Sequence, residues 1–383
     1  MKLLSPLLFA GLILGGVSAQ FYDDFSVEMV EDDDVEMGFT EITDGPLPCN
    51  GYPEFRKLPL NQAFYLGAHN AGSHVFDKPC QGSQTRDISQ MLEDGIRYLD
   101  INLCKDRGKV VICSEFDSTP SSLYFTDVLE SIFTFSRDNV EQILILNLKS
   151  ENVDQAVETK DLEDLIDERC KVHTELTPGT SEFVKKECPF VEVFVAGKNR
   201  WPSLGKVVNY DPEMSQWVGD GEVVGVRTKL HISIADSIVS TPNYKTSYFS
   251  PAFWRSIHKG NKVESLADFK KTLGQLCRVP AGGIGLEAYV SDSCSAELNQ
   301  RIANPSFIED ALVSRSGCNL NDSPLNTFIS FISVDNYELE LPYLKELEAR
   351  MMDLNFEKWS GNYKPIQPSK LLKEKKEITR DEL

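Results

Sequence analysis

The sequence predicts an α/β chain in which short apolar strands alternate with amphipathic helices and wind into a single disulfide-bonded (β/α) barrel. Three observations predict it. Strand and helix patterns take turns from residue 58 onward, which implies a parallel sheet. No strand is followed by a Gly-x-Gly-x-x-Gly turn, the mark of an open dinucleotide-binding sheet. Polar residues gather instead at the C-terminal ends of several strands: His69 and Asn70, Asp100 and Asn102, Lys149, and Asp335. Barrels of this kind carry their chemistry at those ends, and a chain of 383 residues accommodates one such domain of about 250–300 residues.

The elements follow in order. "AFYLGAHN" is a strand that stops at a histidine and an asparagine. "DISQMLEDGIR" places Ile88, Met91, Leu92 and Ile96 at helical spacing and ends near Gly95. "RYLDINL" is the next strand, and "KVVIC" follows the turn "KDRG". "FTDVLESIFTFSRDN" is an amphipathic helix and "QILILNLK" a strand buried on both faces. Later strands are read at "EVVGVRT" (222–228), "GIGLEAYV" (283–290) and "NTFISFISVD" (326–335). The segment "TPNYKTSYFSPAFW" (241–254) gathers Tyr244, Tyr248, Phe249, Phe253 and Trp254 in a loop. It is read as packed, with a barrel-mouth surface for a sugar ring or a lipid interface as the alternative.

Charge and cysteines bound the function. The net charge is -20 and the hydrophobic fraction 41%, so a core is affordable and nucleic acid is excluded as a partner. Residues 1–19 read as a secretory leader ending Val-Ser-Ala. The span 20–48 reads as an acidic, unstructured arm, with ten acidic residues and no lysine or arginine between 21 and 44. The barrel is assigned to 49–350, and 351–383 to a tail ending "RDEL", similar to the retention signal of the endoplasmic reticulum. The destination is therefore that lumen or the extracellular space. Nine cysteines without a metal-binding spacing suit disulfides. Cys104 with Cys113, Cys170 with Cys188, and two of Cys277, Cys294 and Cys318 are the pairs read.

"LGAHNAGS", "DISQMLEDGIRYLDINL", "QILILNLKSE", "WPSLGKVVN" with "EVVGV", and "FISVDNYE", in this order and over about residues 58–340, resemble the phosphatidylinositol-specific phospholipase C X-domain superfamily, in particular its secreted fungal and bacterial-type members. The resemblance implies a distorted TIM barrel that cleaves phosphodiesters of phosphoinositide lipids or related head groups. It implies that an inositol hydroxyl attacks phosphorus and that the histidine after the first strand takes its proton, a task suited to imidazole. His69 matches that histidine, Asp335 a carboxylate that orients it, and Lys149 a cation for the charged transition state. Asn70, Arg97, Asp100, Asn102 and Tyr248 are the substrate-binding candidates. Calcium-dependent members carry an acidic-x-acidic pair on the second strand and Glu on the fourth. Here Asn70, Asp100 and Asn102 offer one carboxylate and two amides, a poor set for a hard cation, so the reading is metal-independent. The partner implied is a phospholipid or inositol phosphate, with peripheral membrane contact.

One departure matters. Where the family places a second histidine as general acid, "VVICSEFDS" has Ser114, whose hydroxyl is hardly acidic. Glu115 would act instead if burial raised its pKa, or His74 would reach across. The alternative is a catalytically impaired barrel that binds inositol phosphate or lipid head groups. A faint likeness to glycerophosphodiester phosphodiesterases fails for want of Glu-x-Asp and a following His-Asp. The C-terminal signal is testable: deleting residues 380–383 is expected to raise the secreted fraction severalfold in pulse–chase labelling, and equal secretion would reduce "RDEL" to coincidence.

Overall fold

The computed structural model describes residues 48–78, 81–139, 142–150, 155–175, 188, 191, 201–208, 229–246, 248–257, 263–278, 283–289, 296–320 and 328–361. The expected leader, the acidic arm up to residue 47, strand 222–228 and "RDEL" lie outside them. No helix among the described residues is long and apolar enough to cross a membrane.

The strands are β1 (Tyr65–Ala68), β2 (Tyr98–Asp106), β3 (Lys109–Cys113), β4 (Pro120–Tyr124), β5 (Ile143–Lys149), β6 (Lys229–Ile234), β7 (Trp254–Ser256), β8 (Gly283–Ala288) and β9 (Phe328–Val334). They form one mixed sheet of 9 strands among the described residues. Seven of them run parallel in the order β6-β5-β2-β1-β9-β8-β7, with β3 and β4 added antiparallel beside β2. That order is the winding of a (β/α) barrel. Its ladder is open between β6 and β7 among the described residues, where a single parallel bridge joins Ile232 to Phe249.

Local sequence explains the elements. The helix Ile88–Glu93 opens with a capping box: Asp87 accepts from the Gln90 amide at 2.8 Å, and the Gln90 side chain accepts from the Asp87 amide at 3.3 Å. Gly95, at φ 88°, turns the chain into β2. The helix Phe125–Asp138 buries Phe125, Val128, Leu129, Ile132 and Phe133 on one stripe. β5 is apolar on both faces because it lies between β2 and β6. β6 lies on "KLHISI", a segment not read as a strand from sequence. Its alternation of Leu230 and Ile232 with the polar His231 and Ser233 is too short a pattern to have been separated from its surroundings. The expected domain end at residue 350 falls inside the helix Leu341–Trp359, which buries Met351, Met352 and Leu354 in the core.

Three disulfides join Cys104 to Cys113, Cys170 to Cys188 and Cys277 to Cys318, the first two as read from sequence and the third fixing the pair among the last cysteines. The barrel interior below the strand ends is filled with aromatic rings. Tyr98 stacks on Phe331 at 3.7 Å, and Trp254 meets both edge-on. Phe253, Trp201 and His231 continue the cluster. Burial pushes the His231 pKa down to about 3, so this ring is neutral and part of the core.

Gly67 in β1 shows how tightly the strands close on that plug. A Cβ there would lie 2.7 Å from the Tyr98 ring and 2.8 Å from the Ile332 carbonyl oxygen. Gly67→Ala is therefore expected to destabilise the fold by about 1–3 kcal/mol, measured by urea unfolding. An unchanged midpoint would show that β1 and β9 can part at no cost.

Candidate active site

Strand register brings the site together. Ala68 of β1 pairs with Val334 of β9, and Val334 pairs with Ala288 of β8. The next residue of each strand is His69, Asp335 and Tyr289, so three functional groups emerge at one level. On the other side Ala68 pairs with Leu99 of β2, which puts Asp100 at the same level. Asp100 in turn pairs with Asn147 of β5, and Asn102 with Lys149 one pleat above.

The side chains form one continuous network. His69 Nδ1 lies 2.6 Å from Asp335 Oδ1, and His69 Nε2 lies 2.5 Å from Glu115 Oε2. Lys149 Nζ lies 3.0 Å from the same Glu115 oxygen and 3.0 Å from Asp100 Oδ2. Asn147 donates to Asp100 Oδ1 at 3.0 Å, and Asn299 donates to Asp335 Oδ2 at 2.8 Å. Tyr289 stacks flat on the imidazole, with centroids 3.5 Å apart and planes at 11°. Gln84 is buried and donates to the carbonyls of His69 at 2.7 Å and Val334 at 2.8 Å, which ties the ends of β1 and β9. Asn70 occupies the left-handed region at φ 49°, tolerated by asparagine, and turns the chain away after His69.

Electrostatics follow from these contacts. Burial alone would lower the His69 pKa, but the carboxylates of Glu115 and Asp335 outweigh it and hold the imidazole at about 10. Burial alone would likewise raise Glu115, yet Lys149 and then His69 pull its carboxyl well below the usual range. Lys149, despite burial, is held charged by Asp100 and Glu115. His69 is thus an imidazolium between two carboxylates in the free protein.

The structure brings together His69, Asp335, Lys149 and Asp100 as the sequence suggests. It corrects the assignment around the third strand. Ser114 is fully buried, with its amide bonded to the Thr119 carbonyl at 2.9 Å. Glu115, the next residue, is the one that enters the site. Its lowered pKa removes the expected basis for a general acid. Asn102 donates to the Cys113 carbonyl at 3.2 Å, so together with the Cys104–Cys113 disulfide it anchors the end of β3 from which Glu115 projects. Arg97 lies at the opening of β2, and its guanidinium is taken up there. It bonds to Gln142 at 2.9 Å and to the carbonyls of Leu92 at 2.6 Å and Ile96 at 2.9 Å, over the Phe135 ring. Tyr248 is buried against the helix Thr159–Glu175, its hydroxyl donating to Asp167 at 2.7 Å and its amide to Glu163 at 2.9 Å. Neither Arg97 nor Tyr248 reaches His69. His74 sits on the turn Ser73–Val75 with its pKa lowered by burial, and no ion pair of the cluster among the described residues includes it. Tyr289, Asn299 and Gln84 were not found from sequence. Only the apparent strand end at "LEAYV" pointed toward Tyr289.

The candidate calcium set does not fit the residues present. Asp100 is already neutralised by the Lys149 ammonium at 3.0 Å, and Asn102 directs its NH2 to a backbone carbonyl. A divalent cation beside Asp100 would meet that ammonium instead of a full set of oxygens.

Comparisons with known proteins agree with the motifs. Residues 56–171 match the family model "Phosphatidylinositol-specific phospholipase C, X domain", so the resemblance is borne out over the segment that holds His69, Asp100, Glu115 and Lys149. Among solved structures, the chain is similar to the phosphatidylinositol-specific phospholipase C from Listeria monocytogenes at 18% identity. That match covers 77% of this chain and 94% of the other, with a TM-score of 0.46. A mutant of the Staphylococcus aureus phosphatidylinositol-specific phospholipase C is similar at 13% identity, covering 76% and 92%, with a TM-score of 0.43. No curated protein matches the chain.

A titration tests the charge state. An imidazole held at about 10 against an ordinary value near 6.5 gives stability that is complete below pH about 6.5 and lost as pH rises toward 10. Nitrogen NMR is expected to show His69 doubly protonated through pH 8. Unfolding free energy is expected to fall between those limits, and His69→Gln should flatten that fall. A His69 inflection near 6.5 would contradict the pairing.

Proposed function

We propose that this chain is a phosphoric diester hydrolase of the phospholipase C type, acting on phosphatidylinositol or a related inositol phosphodiester in the secretory pathway. The single observation that carries the reading is His69, held by Asp335 at 2.6 Å through Nδ1, with Nε2 against the Glu115 oxygen that Lys149 also contacts, inside the matched segment 56–171.

The chemistry follows from those positions. In the free protein Glu115 holds a second proton on Nε2; once that proton has left, Asp335 keeps the remaining one on Nδ1 and leaves Nε2 to accept the proton of the nucleophile. The inositol hydroxyl adjacent to the phosphate attacks phosphorus and gives its proton to Nε2. The new ring O–P bond forms as the O–P bond to the glycerol oxygen breaks, leaving a cyclic phosphate. Lys149 supplies a fixed positive charge for the oxygens of the phosphorane, a role suited to a dry, preorganised site. Its ion pair with Asp100 supports a metal-independent route. Asn299, by bonding the second oxygen of Asp335, keeps that carboxylate aimed at the ring.

The departing glycerol oxygen needs a proton. Glu115 stands where an acid would be expected, but its carboxyl is ionised, so the proton comes from water. Loss of acid assistance costs about a hundredfold to ten-thousandfold, and the reading is accordingly a slow enzyme. The same observation favours a second reading, in which the barrel binds inositol phosphate head groups without turnover.

A product assay separates the two. Purified protein is incubated with phosphatidylinositol and with glycerophosphoinositol, with and without a chelator. Cyclic inositol phosphate, formed equally in both conditions, is expected. Head-group binding without product would replace the first reading by the second, and a chelator-sensitive signal would overturn the metal-independent route. His69→Ala is expected to reduce turnover at least about a hundredfold while the melting temperature shows a folded protein. Unchanged turnover would remove His69 from the mechanism.

A further inference from the structure

We propose that Glu115 is an exchangeable internal counter-ion: in the free protein it occupies the place that a phosphate oxygen of the substrate takes between His69 and Lys149. The inference rests on the hydrolase reading for the identity of the anion, but its evidence is geometric. One carboxylate oxygen lies 2.5 Å from His69 Nε2 and 3.0 Å from Lys149 Nζ. These two donors are the ones a phosphodiester needs, and they cannot serve Glu115 and a phosphate oxygen at once.

Glu115 also differs from the rest of the cluster in how it is held. Its side chain is 24% exposed, against 12% for Asp335, 9% for Lys149, 7% for His69 and 3% for Asp100. Asp100 and Lys149 lie in barrel strands, and His69 and Asp335 directly follow β1 and β9. Glu115 lies in the connection between the antiparallel strands β3 and β4. Its backbone is framed by the bonds of Ser114 to Thr119 and Ser118 to Ser114, so its side chain can rotate outward while the turn stays in place.

Charge makes the exchange even. With Glu115 in contact, two cations face three carboxylates: Glu115, Asp100 and Asp335. When Glu115 leaves, His69 keeps Asp335 and Lys149 keeps Asp100, and each cation has a donor to spare. A phosphodiester monoanion restores the charge that Glu115 carried. The site therefore selects a single negative charge on an oxygen small enough to lie between an imidazole and an ammonium. An entering neutral group would leave Glu115 where it is.

Calorimetric titration of the full chain with inorganic phosphate and with dimethyl phosphate tests this. Glu115→Gln keeps the size of the side chain and removes its charge. It is expected to bind both probes at least about tenfold more tightly than the unaltered protein, and the gain should vanish when Lys149→Met is added. Equal or weaker binding by a folded Glu115→Gln protein would overturn the proposal and make Glu115 a structural member of the cluster. If that variant does not melt cooperatively, the unaltered protein decides. Saturating dimethyl phosphate should shift the His69 Nε2 resonance, and an unmoved resonance would overturn the proposal. The outcomes are separable from those for catalysis. No cyclic product together with a binding gain defeats the hydrolase reading alone, whereas turnover without a gain defeats the exchange alone.

Discussion

The buried ion network around His69 is the constraint on which the site depends. Two cations and three carboxylates share one pocket at the strand ends, where an unpaired charge would be expensive. Each member satisfies a neighbour: Asp335 and Glu115 hold the imidazole, and Asp100 and Glu115 hold the ammonium. Asp335 and Asp100 each hold one buried cation, and losing either costs more than breaking an isolated surface ion pair, whereas Glu115 shares both cations with them. Strand register is what makes this arrangement reproducible. Ala68, Val334 and Ala288 are in step, and a one-residue slip of β9 would turn Asp335 away from His69.

Much of this was legible in the sequence because it is local. The helix start at Asp87 carries its own cap, the turn at Gly95 its own backbone conformation, and "QILILNLK" its own burial. His69 and Lys149 were readable because each closes a recognisable apolar run, and Asp100 because it interrupts one. The errors come from long-range geometry. Arg97 has the right position in a motif, but its donors are claimed by Gln142 and two carbonyls. Tyr248 lies in an aromatic segment that packs against a helix by way of Asp167. Asn299 and Gln84 lie in segments with no chemical signature, and their roles exist only through contacts with Asp335, His69 and Val334. Glu115 is the instructive case. Which of two adjacent residues enters a cleft depends on the twist of β3 and the bond from Asn102 to Cys113, and neither is written in residue spacing.

The identity of Glu115 changes what the cluster does before any ligand arrives. Two carboxylates against one imidazole hold it protonated, and Asp335 alone would hold it less strongly. On the proposed exchange, an anion in the place of Glu115 is met by the imidazolium, and proton acceptance needs the Nε2 proton to leave first, so the two uses of His69 are successive. Tyr289, lying flat on the ring at 3.5 Å, packs against one face of the imidazole and fixes its plane.

The aromatic plug has a consequence of another kind. Tyr98, Phe331, Trp254, Phe253 and Trp201 pack together beneath His69, so among the described residues the barrel interior under the cluster is filled with rings. Under the proposed reading, a substrate meets the cluster from the side of the strand ends. On that reading the lipid half and the sugar half of a cleaved substrate leave by that same side, the last to leave standing between the cluster and the next arrival.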